Sequence, residues 1–341
     1  MFFLWFIFHV FFAFVLFFNK RLPYYLSILV FLPIALVYLK KNPSYDLIFY
    51  YRYFEEAWTF LEPGFRYLIF ILNKILFANS FLIHIAYQFL SMILIYIVAR
   101  KLFFEEKFKK KNLYFFVPVT SISLYTLFYL LGSQNAVRQY LAFVISFIGL
   151  LYFINSKNIK AFLLFALSIT FHQMSVLYFP LFFLIKFFKN QKLLIYILSF
   201  IGGLCIYVLL VTVLSDYTYV KFYLSFQDEH FGGRSGLIKV ILLTLSIFVT
   251  NYIFRSCKEF KSKNIQLLLK FRMTLFFYVL IFAFVGFYEL WGRIIFVFYF
   301  IDLLLITNIA FKNTTQKYRF ACVLIMLSYA IAPNAKNILS G

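Results

Sequence analysis

Residues 4–18 read LWFIFHVFFAFVLFF, an apolar run broken only by a histidine. The strands of a membrane β-barrel alternate apolar and polar side chains, and this run does not alternate. Similar runs recur along the whole chain, which has 341 residues, of which 64% are hydrophobic and 13% charged. With 53 Phe and 27 Tyr, the chain has too few polar residues to cover a soluble core. The sequence therefore predicts an all-α polytopic membrane protein.

The apolar runs have the length that helices need to cross a bilayer, about 17–25 residues. They predict about 12 transmembrane segments, at residues 2–18, 22–39, 80–100, 113–131, 137–154, 161–172, 174–187, 193–214, 237–254, 266–287, 291–311 and 319–333. Segments 161–172 and 174–187 are short, and we predict either a tight in-and-out pair or re-entrant half-helices. Because no repeat or linker interrupts the chain, residues 1–341 are predicted to form a single integral membrane domain.

Basic residues concentrate in alternate loops, as they do on the cytoplasmic side of membrane proteins. The stretch 100–111 is rich in Lys and Arg and is therefore predicted to lie inside. This orientation places the N-terminus outside, with outer loops at about 40–79 and 215–236. The same rule explains the formal charge of +21, so we predict no nucleic-acid partner.

Within the first outer loop, residues 65–77 read FRYLIFILNKILF. Arg66, Asn73 and Lys74 fall near one helical face of this mainly apolar segment. It is predicted to be an amphipathic helix that lies on the outer surface of the membrane and begins at Pro63 and Gly64.

Scarce acid, histidine and arginine side chains lie at the predicted outer ends of the helices. A membrane protein that gathers such groups on one side is expected to do chemistry or recognition there. The candidate catalytic residues are Asp46, Glu62 and His172. The candidate substrate-binding residues are Tyr50, Arg138, Gln139, Arg234 and Arg293.

Two of these candidates are carboxylates in the first outer loop. Asp46 and Tyr50 are four residues apart and would share a face of a helix. Glu62 directly precedes Pro63 and Gly64, a turn that would hold its carboxylate at a helix entrance. Either acid could position or deprotonate a substrate hydroxyl, and either could instead cap a helix in a solvated loop.

Arg138 enters a predicted helix next to Gln139, in the stretch GSQNAVRQY at 132–140. The guanidinium is a fixed fork of donors suited to phosphate or carboxylate, although an arginine at a membrane interface can also simply reach water. His172 lies between two short apolar segments, where it is either a structural residue or a proton acceptor. It has no second His or Cys at ligand spacing, and the three cysteines are scattered, so no metal and no cofactor are predicted.

The remaining arginines lie farther along the chain. Arg234 belongs to the glycine- and aromatic-rich outer loop, which is predicted to be a mobile binding loop. Arg293 lies four residues after Glu289, so it either pairs with that acid or contacts an anionic lipid head. Asp302, toward the inner end of the same predicted helix, receives no assignment.

The order of these motifs resembles that of EpsG-type proteins, which are related to the Wzy-like polymerases of bacterial exopolysaccharide and capsule. The resemblance covers about residues 1–310. The elements that carry it are, in order, Asp46 with Tyr50, Glu62-Pro63-Gly64-Phe65, Val137-Arg138-Gln139 with Ala142, Phe171-His172 with Ser175, and Gly292-Arg293 with Tyr299-Phe300.

The resemblance implies a membrane glycosyltransferase that joins oligosaccharide repeat units carried on undecaprenyl diphosphate. The implied location of the reaction is the outer leaflet of the bacterial plasma (inner) membrane. Arginines would clamp the diphosphate, and one of the candidate bases would activate the acceptor hydroxyl. The implied partners are the lipid-linked oligosaccharide, membrane lipid, and assembly proteins such as a chain-length regulator or a flippase. Two alternatives remain open: an O-acyltransferase that modifies surface polysaccharide, and a transporter of polysaccharide or lipid-linked sugar.

Overall fold

The computed structural model describes part of the chain: residues 50, 52–54, 61–77, 79–103, 137–188, 191–217, 220–221, 244, 247–248, 251–252, 263–285, 294 and 297–305. All regular structure within these residues is helical, and they include no β-strand. The predicted all-α fold is therefore confirmed for the described part.

The helices with defined bounds are α1 (Pro63–Ile75), α2 (Ser80–Phe103), α3 (Val137–Ile154), α4 (Asn158–Phe171), α5 (Phe179–Phe187), α6 (Lys192–Thr212) and α7 (Lys263–Phe284). A 3₁₀ helix, Gln173–Tyr178, connects α4 to α5. Residues 52–54 and 297–305 are also helical.

Four of the described helices are long and apolar enough to cross a membrane: α2, α3, α6 and α7. They coincide with the spans predicted at 80–100, 137–154, 193–214 and 266–287. The spans predicted at 2–18, 22–39, 113–131 and 319–333 lie outside the described residues, and those at 237–254 and 291–311 are described only in part. The total of about 12 segments therefore stays a prediction.

The two short segments around His172 are helical, and the chain breaks between them. Helix α4 ends at Phe171, and His172 adopts an extended backbone with φ −161° and ψ 121°. Pro180 lies in the first turn of α5, where its missing N–H costs nothing and its fixed φ favours a helix start. This break leaves His172 outside any regular helix.

The helix predicted at 65–77 is present as α1, which buries Phe65 and Ile69. Tyr67, Phe70 and Ile75 are exposed on other sides of this helix. Asn73 donates from Nδ2 to the carbonyl of Phe54 at 2.7 Å, which ties α1 to the helical stretch before it.

The described residues fall into two compact units, within Met1–Val176 with Leu303–Gly341 and within Leu177–Asp302. In the first unit, α3 and α4 form an antiparallel hairpin whose turn includes Ser156 at φ 59°. A Cβ added at Gly149 of α3 would lie 2.6 Å from the Phe165 ring of α4. This glycine therefore allows the two helices to approach closely.

In the second unit, a glycine likewise allows α6 to pack closely against α7. A Cβ added at Gly203 of α6 would collide with the Tyr278 carbonyl of α7. Tyr196 and Phe277 stack across this helix pair, with ring centroids 5.1 Å apart. The Tyr278 hydroxyl donates to the Leu177 carbonyl at 2.9 Å, which fixes the approach to α5.

Candidate functional site

The EPGF sequence at 62–65 brings the start of α1 onto the end of α4. Pro63 lies in the first turn of α1, where its fixed φ favours a helix start. A Cβ added at Gly64 would lie 2.9 Å from the Thr170 Cβ and 3.0 Å from the Thr170 backbone carbon. Only a residue without a side chain fits this contact, so Gly64 lets Glu62 reach the chain break at His172.

Phe65 anchors the same turn in an aromatic cluster. Its ring stacks on Tyr53 at 5.5 Å and meets the rings of Tyr50 and Tyr87 edge-on, at 5.9 Å and 5.6 Å. Such pairs stabilise beyond the burial of their apolar area. The Tyr87 hydroxyl donates to the Val137 carbonyl at 2.8 Å, which holds the first turn of α3 beside this cluster. The cluster thus positions Tyr50 and the backbone of α3 next to Arg138.

Glu62 is the centre of a polar network with Arg138 and His172. One carboxylate oxygen, Oε2, accepts from Nη1 of Arg138 in a short ion pair. The other, Oε1, accepts from Nδ1 of His172 at 3.0 Å and from the backbone N–H of Gln173 at 3.4 Å. Arg138 also donates from Nε to the Tyr50 hydroxyl at 2.9 Å. Residues from four separate stretches of sequence therefore join in one network centred on this carboxylate.

The network is buried but not sealed. Glu62 is 4% exposed and His172 is 7% exposed, while the side chain of Arg138 is 17% exposed. Burial alone would raise the pKa of Glu62. The hydrogen bond from His172 and the positive charge of Arg138 outweigh that effect and lower the pKa from 4.5 to about 2. Glu62 is consequently an ionised acceptor at neutral pH and a weak base.

The charge on Glu62 decides which nitrogen of His172 carries hydrogen. Because an ionised carboxylate can only accept, Nδ1 must be the donor, and the neutral ring then presents Nε2 as its basic nitrogen. The backbone supports this ring orientation, since the His172 N–H donates to the Ser168 carbonyl at 3.0 Å. A carboxylate that holds one histidine nitrogen so that the other can accept a proton is a recurrent arrangement in general-base catalysis.

Several predicted site residues come together in the structure. Tyr50, Glu62, Arg138 and His172 form one hydrogen-bonded network. Gln139 follows Arg138 on α3 and is buried. Asp46, Arg234 and Arg293 lie outside the described residues. Within the part of the chain that the structure describes, no three His, Cys, Asp or Glu side chains gather as metal ligands.

A second charged pair, in the other compact unit, was not predicted from the sequence. Asp302, which had received no assignment, forms an ion pair with Arg272, with its Oδ1 2.9 Å from Nη2. Arg272 lies on α7 and is fully buried, and its Nη1 is 3.5 Å from Oδ1 of Asn251. The sequence did contain a clue, because a charged residue within an apolar span needs a partner. Because Arg272 and Asp302 are far apart in the sequence, local patterns could not show that they pair.

The fold and this network define a class: a helical membrane protein with a buried carboxylate–histidine–arginine site. The chain belongs to the EpsG family, whose sequence model matches residues 23–339. The resemblance inferred from the motif order is thereby confirmed, and membership indicates an exopolysaccharide-related membrane protein. Comparison with curated proteins and with solved structures finds no match to either.

Proposed function

We propose that this protein is a membrane glycosyltransferase that polymerises undecaprenyl-diphosphate-linked oligosaccharide repeat units. It acts at the outer face of the bacterial plasma membrane, in the synthesis of exopolysaccharide, capsule or O-antigen. The observation that carries the proposal is the carboxylate of Glu62, which holds a histidine and an arginine at one buried but accessible point. Family membership connects this site with polysaccharide synthesis.

His172 is the proposed base, and Glu62 is its positioning residue. In the reaction, the acceptor hydroxyl oxygen attacks the anomeric carbon of the donor sugar while its proton passes to Nε2 of His172. The bond between that carbon and the phosphate oxygen breaks, and undecaprenyl diphosphate leaves with the electron pair. Glu62 keeps Nδ1 protonated throughout and stabilises the imidazolium that forms.

Arg138 is the proposed donor to the leaving diphosphate. Its Nη1 contacts Glu62 and its Nε contacts Tyr50, so the fork is held in place while the rest of the guanidinium remains for a ligand. A preorganised donor directed at developing negative charge is among the largest contributions to catalysis. Gln139, Arg234 and Arg293 remain proposed substrate contacts, and Asp46 remains a second candidate base.

Deletion of the gene in its host tests the proposed reaction against the alternatives. Loss of a polymerase leaves surface glycan with single repeat units and leaves lipid-linked units outside the membrane. Loss of a transporter traps those units inside, and loss of an acyltransferase changes decoration without changing chain length. Glycan of normal length in the deletion strain would overturn the proposal.

The role of His172 has its own test in the complemented deletion strain. His172→Gln preserves size and hydrogen bonding but cannot take the proton, so we expect polymer formation to fall by about 10²–10⁴-fold. The matched control is His84→Gln, since His84 is a buried histidine of α2 that hydrogen-bonds Gln88 at 3.1 Å, outside the Glu62 network. Equal loss in both variants would remove His172 from the mechanism.

A further inference from the structure

The charges within the Glu62 network nearly cancel. Arg138 contributes one positive charge, ionised Glu62 contributes one negative charge, and His172 is neutral when only Nδ1 carries hydrogen. A diphosphate brings at least two negative charges into a site that is shielded from water. Burying such a group requires more positive charge than this network supplies.

Arg66 lies one helical turn after Glu62. Its backbone N–H donates to the Glu62 carbonyl at 3.1 Å, so the two residues lie one turn apart at the start of α1. The Nε atom of Arg66 is buried and makes no hydrogen bond to the described residues. Those residues also include no ion pair to Arg66. Its charge is thus uncompensated by the described part of the chain.

Tyr53 links Arg66 to the network. The ring of Tyr53 stacks on Phe65, the residue between Gly64 and Arg66. Burial raises the pKa of the Tyr53 phenol to about 12, and the positive charges of Arg66 and then Arg138 act against that rise. The charges of both guanidinium groups therefore act on one phenol. Of these two arginines, only Arg138 has a carboxylate partner among the described residues.

We propose that Arg66 is the second cation of the site and binds the diphosphate of the lipid-linked substrate together with Arg138. This inference rests on the function proposed above and adds a residue to it. Arg66 adds a positive charge that Arg138, neutralised by Glu62, does not supply alone.

The surroundings of Arg66 suit a lipid rather than a free anion. On α1, the neighbouring Tyr67 is 68% exposed, and Phe70, one turn later on the face of Arg66, is 50% exposed. An isoprenoid chain attached to the diphosphate can lie on these side chains. Lys74 continues the same face and lies 4.5 Å above the Phe70 ring, which limits the apolar strip at that end.

The test measures binding of three probes to the purified full-length chain in nanodiscs: farnesyl diphosphate, farnesol and inorganic pyrophosphate. We expect Arg66→Gln to weaken farnesyl diphosphate binding by about 10-fold or more while farnesol binding is unchanged. Arg66→Lys keeps the charge and should recover part of the loss. The matched control is Lys74→Gln, which removes a cation from the same helix face two turns away and should bind the diphosphate like the wild type.

Three results would overturn the proposal. Arg66→Gln could bind farnesyl diphosphate as well as the wild type does. It could lose farnesol binding equally, in which case the residue supports the fold and not the phosphate contact. Pyrophosphate could bind the wild type as tightly as farnesyl diphosphate, and the ligand would then be a free anion. Failure of the polymerase function would appear separately, as normal glycan length in the deletion strain with the binding results intact.

Discussion

The two compact units each contain an arginine–carboxylate pair, and the pairs differ in what surrounds them. In the first unit, Glu62 serves Arg138, His172 and the Gln173 backbone together, and the Arg138 side chain is 17% exposed. In the second unit, Arg272 is fully buried, at 0% exposed, and its partner Asp302 is 4% exposed.

This difference separates a site from a structural pair. A sealed ion pair gains its attraction only after both charges lose their water, and it contributes mainly by leaving no charge alone in the apolar interior. A pair that shares its carboxylate with a histidine and leaves part of its guanidinium accessible can exchange protons and accept an anion. We therefore expect damage to the Arg272 pair to affect folding alone, and damage to the Glu62 network to affect activity in addition to any loss of stability.

The largest effect is expected from Asp302→Ala. The substitution leaves Arg272 charged and buried without the Asp302 carboxylate, at a cost of about 3–5 kcal/mol. We expect little folded protein in the membrane fraction and early thermal unfolding in detergent. The double variant Arg272→Leu with Asp302→Leu removes both charges and should restore the yield. A stable Asp302→Ala protein with selective loss of polymer formation would instead make this pair part of a site.

Arg138→Lys should show the opposite pattern. Lysine keeps the charge but loses the fork that contacts Glu62 and Tyr50 at the same time. We expect polymer formation to fall by about 100-fold, which corresponds to about 2.7 kcal/mol of lost transition-state stabilisation. Membrane insertion and thermal stability should remain close to those of the wild type. Wild-type polymer length in this variant would remove Arg138 from the proposed diphosphate contact.

The sequence predicted the helical class, the four described spans and the break at His172, because long apolar runs and two short apolar segments leave few other structures in a membrane. It also selected Glu62, Arg138 and His172 as candidates, since charged and titratable groups are scarce in such a chain. It could not predict that Glu62 joins the other two, because the pairs are 76 and 110 residues apart. Nor did local patterns connect Arg272 to Asp302.

The dependence of stability on acidic pH tests whether Glu62 is ionised in the folded protein. Its pKa is lowered from 4.5 to about 2 in the folded protein, so its contribution to stability is complete above pH 4.5 and is lost as the pH falls toward 2. The shift corresponds to about 3 kcal/mol in total, of which about 2 kcal/mol should be gone by about pH 3. Thermal unfolding of wild type and Glu62→Gln, followed from neutral to acidic pH, should therefore converge. A gap that stays constant with pH would contradict the ionised network.

The smallest effect is expected from Gly64→Ala, which leaves every charge of the network in place. The added Cβ would lie 2.9 Å from the Thr170 Cβ, so α1 must shift away from α4. Overpacking of this kind costs about 1–3 kcal/mol.

The matched control is Gly202→Ala on α6, where the nearest atom, Cε2 of Tyr278, is 3.9 Å away and no shift is needed. We expect Gly64→Ala to lower both the melting temperature and polymer formation, and Gly202→Ala to change neither. The activity loss follows from the geometry, because a displaced α1 carries Glu62 away from His172, now 3.0 Å from it. If Gly64→Ala were less stable but fully active, the position of Glu62 would not control the histidine, and the site would have to be assigned to other residues.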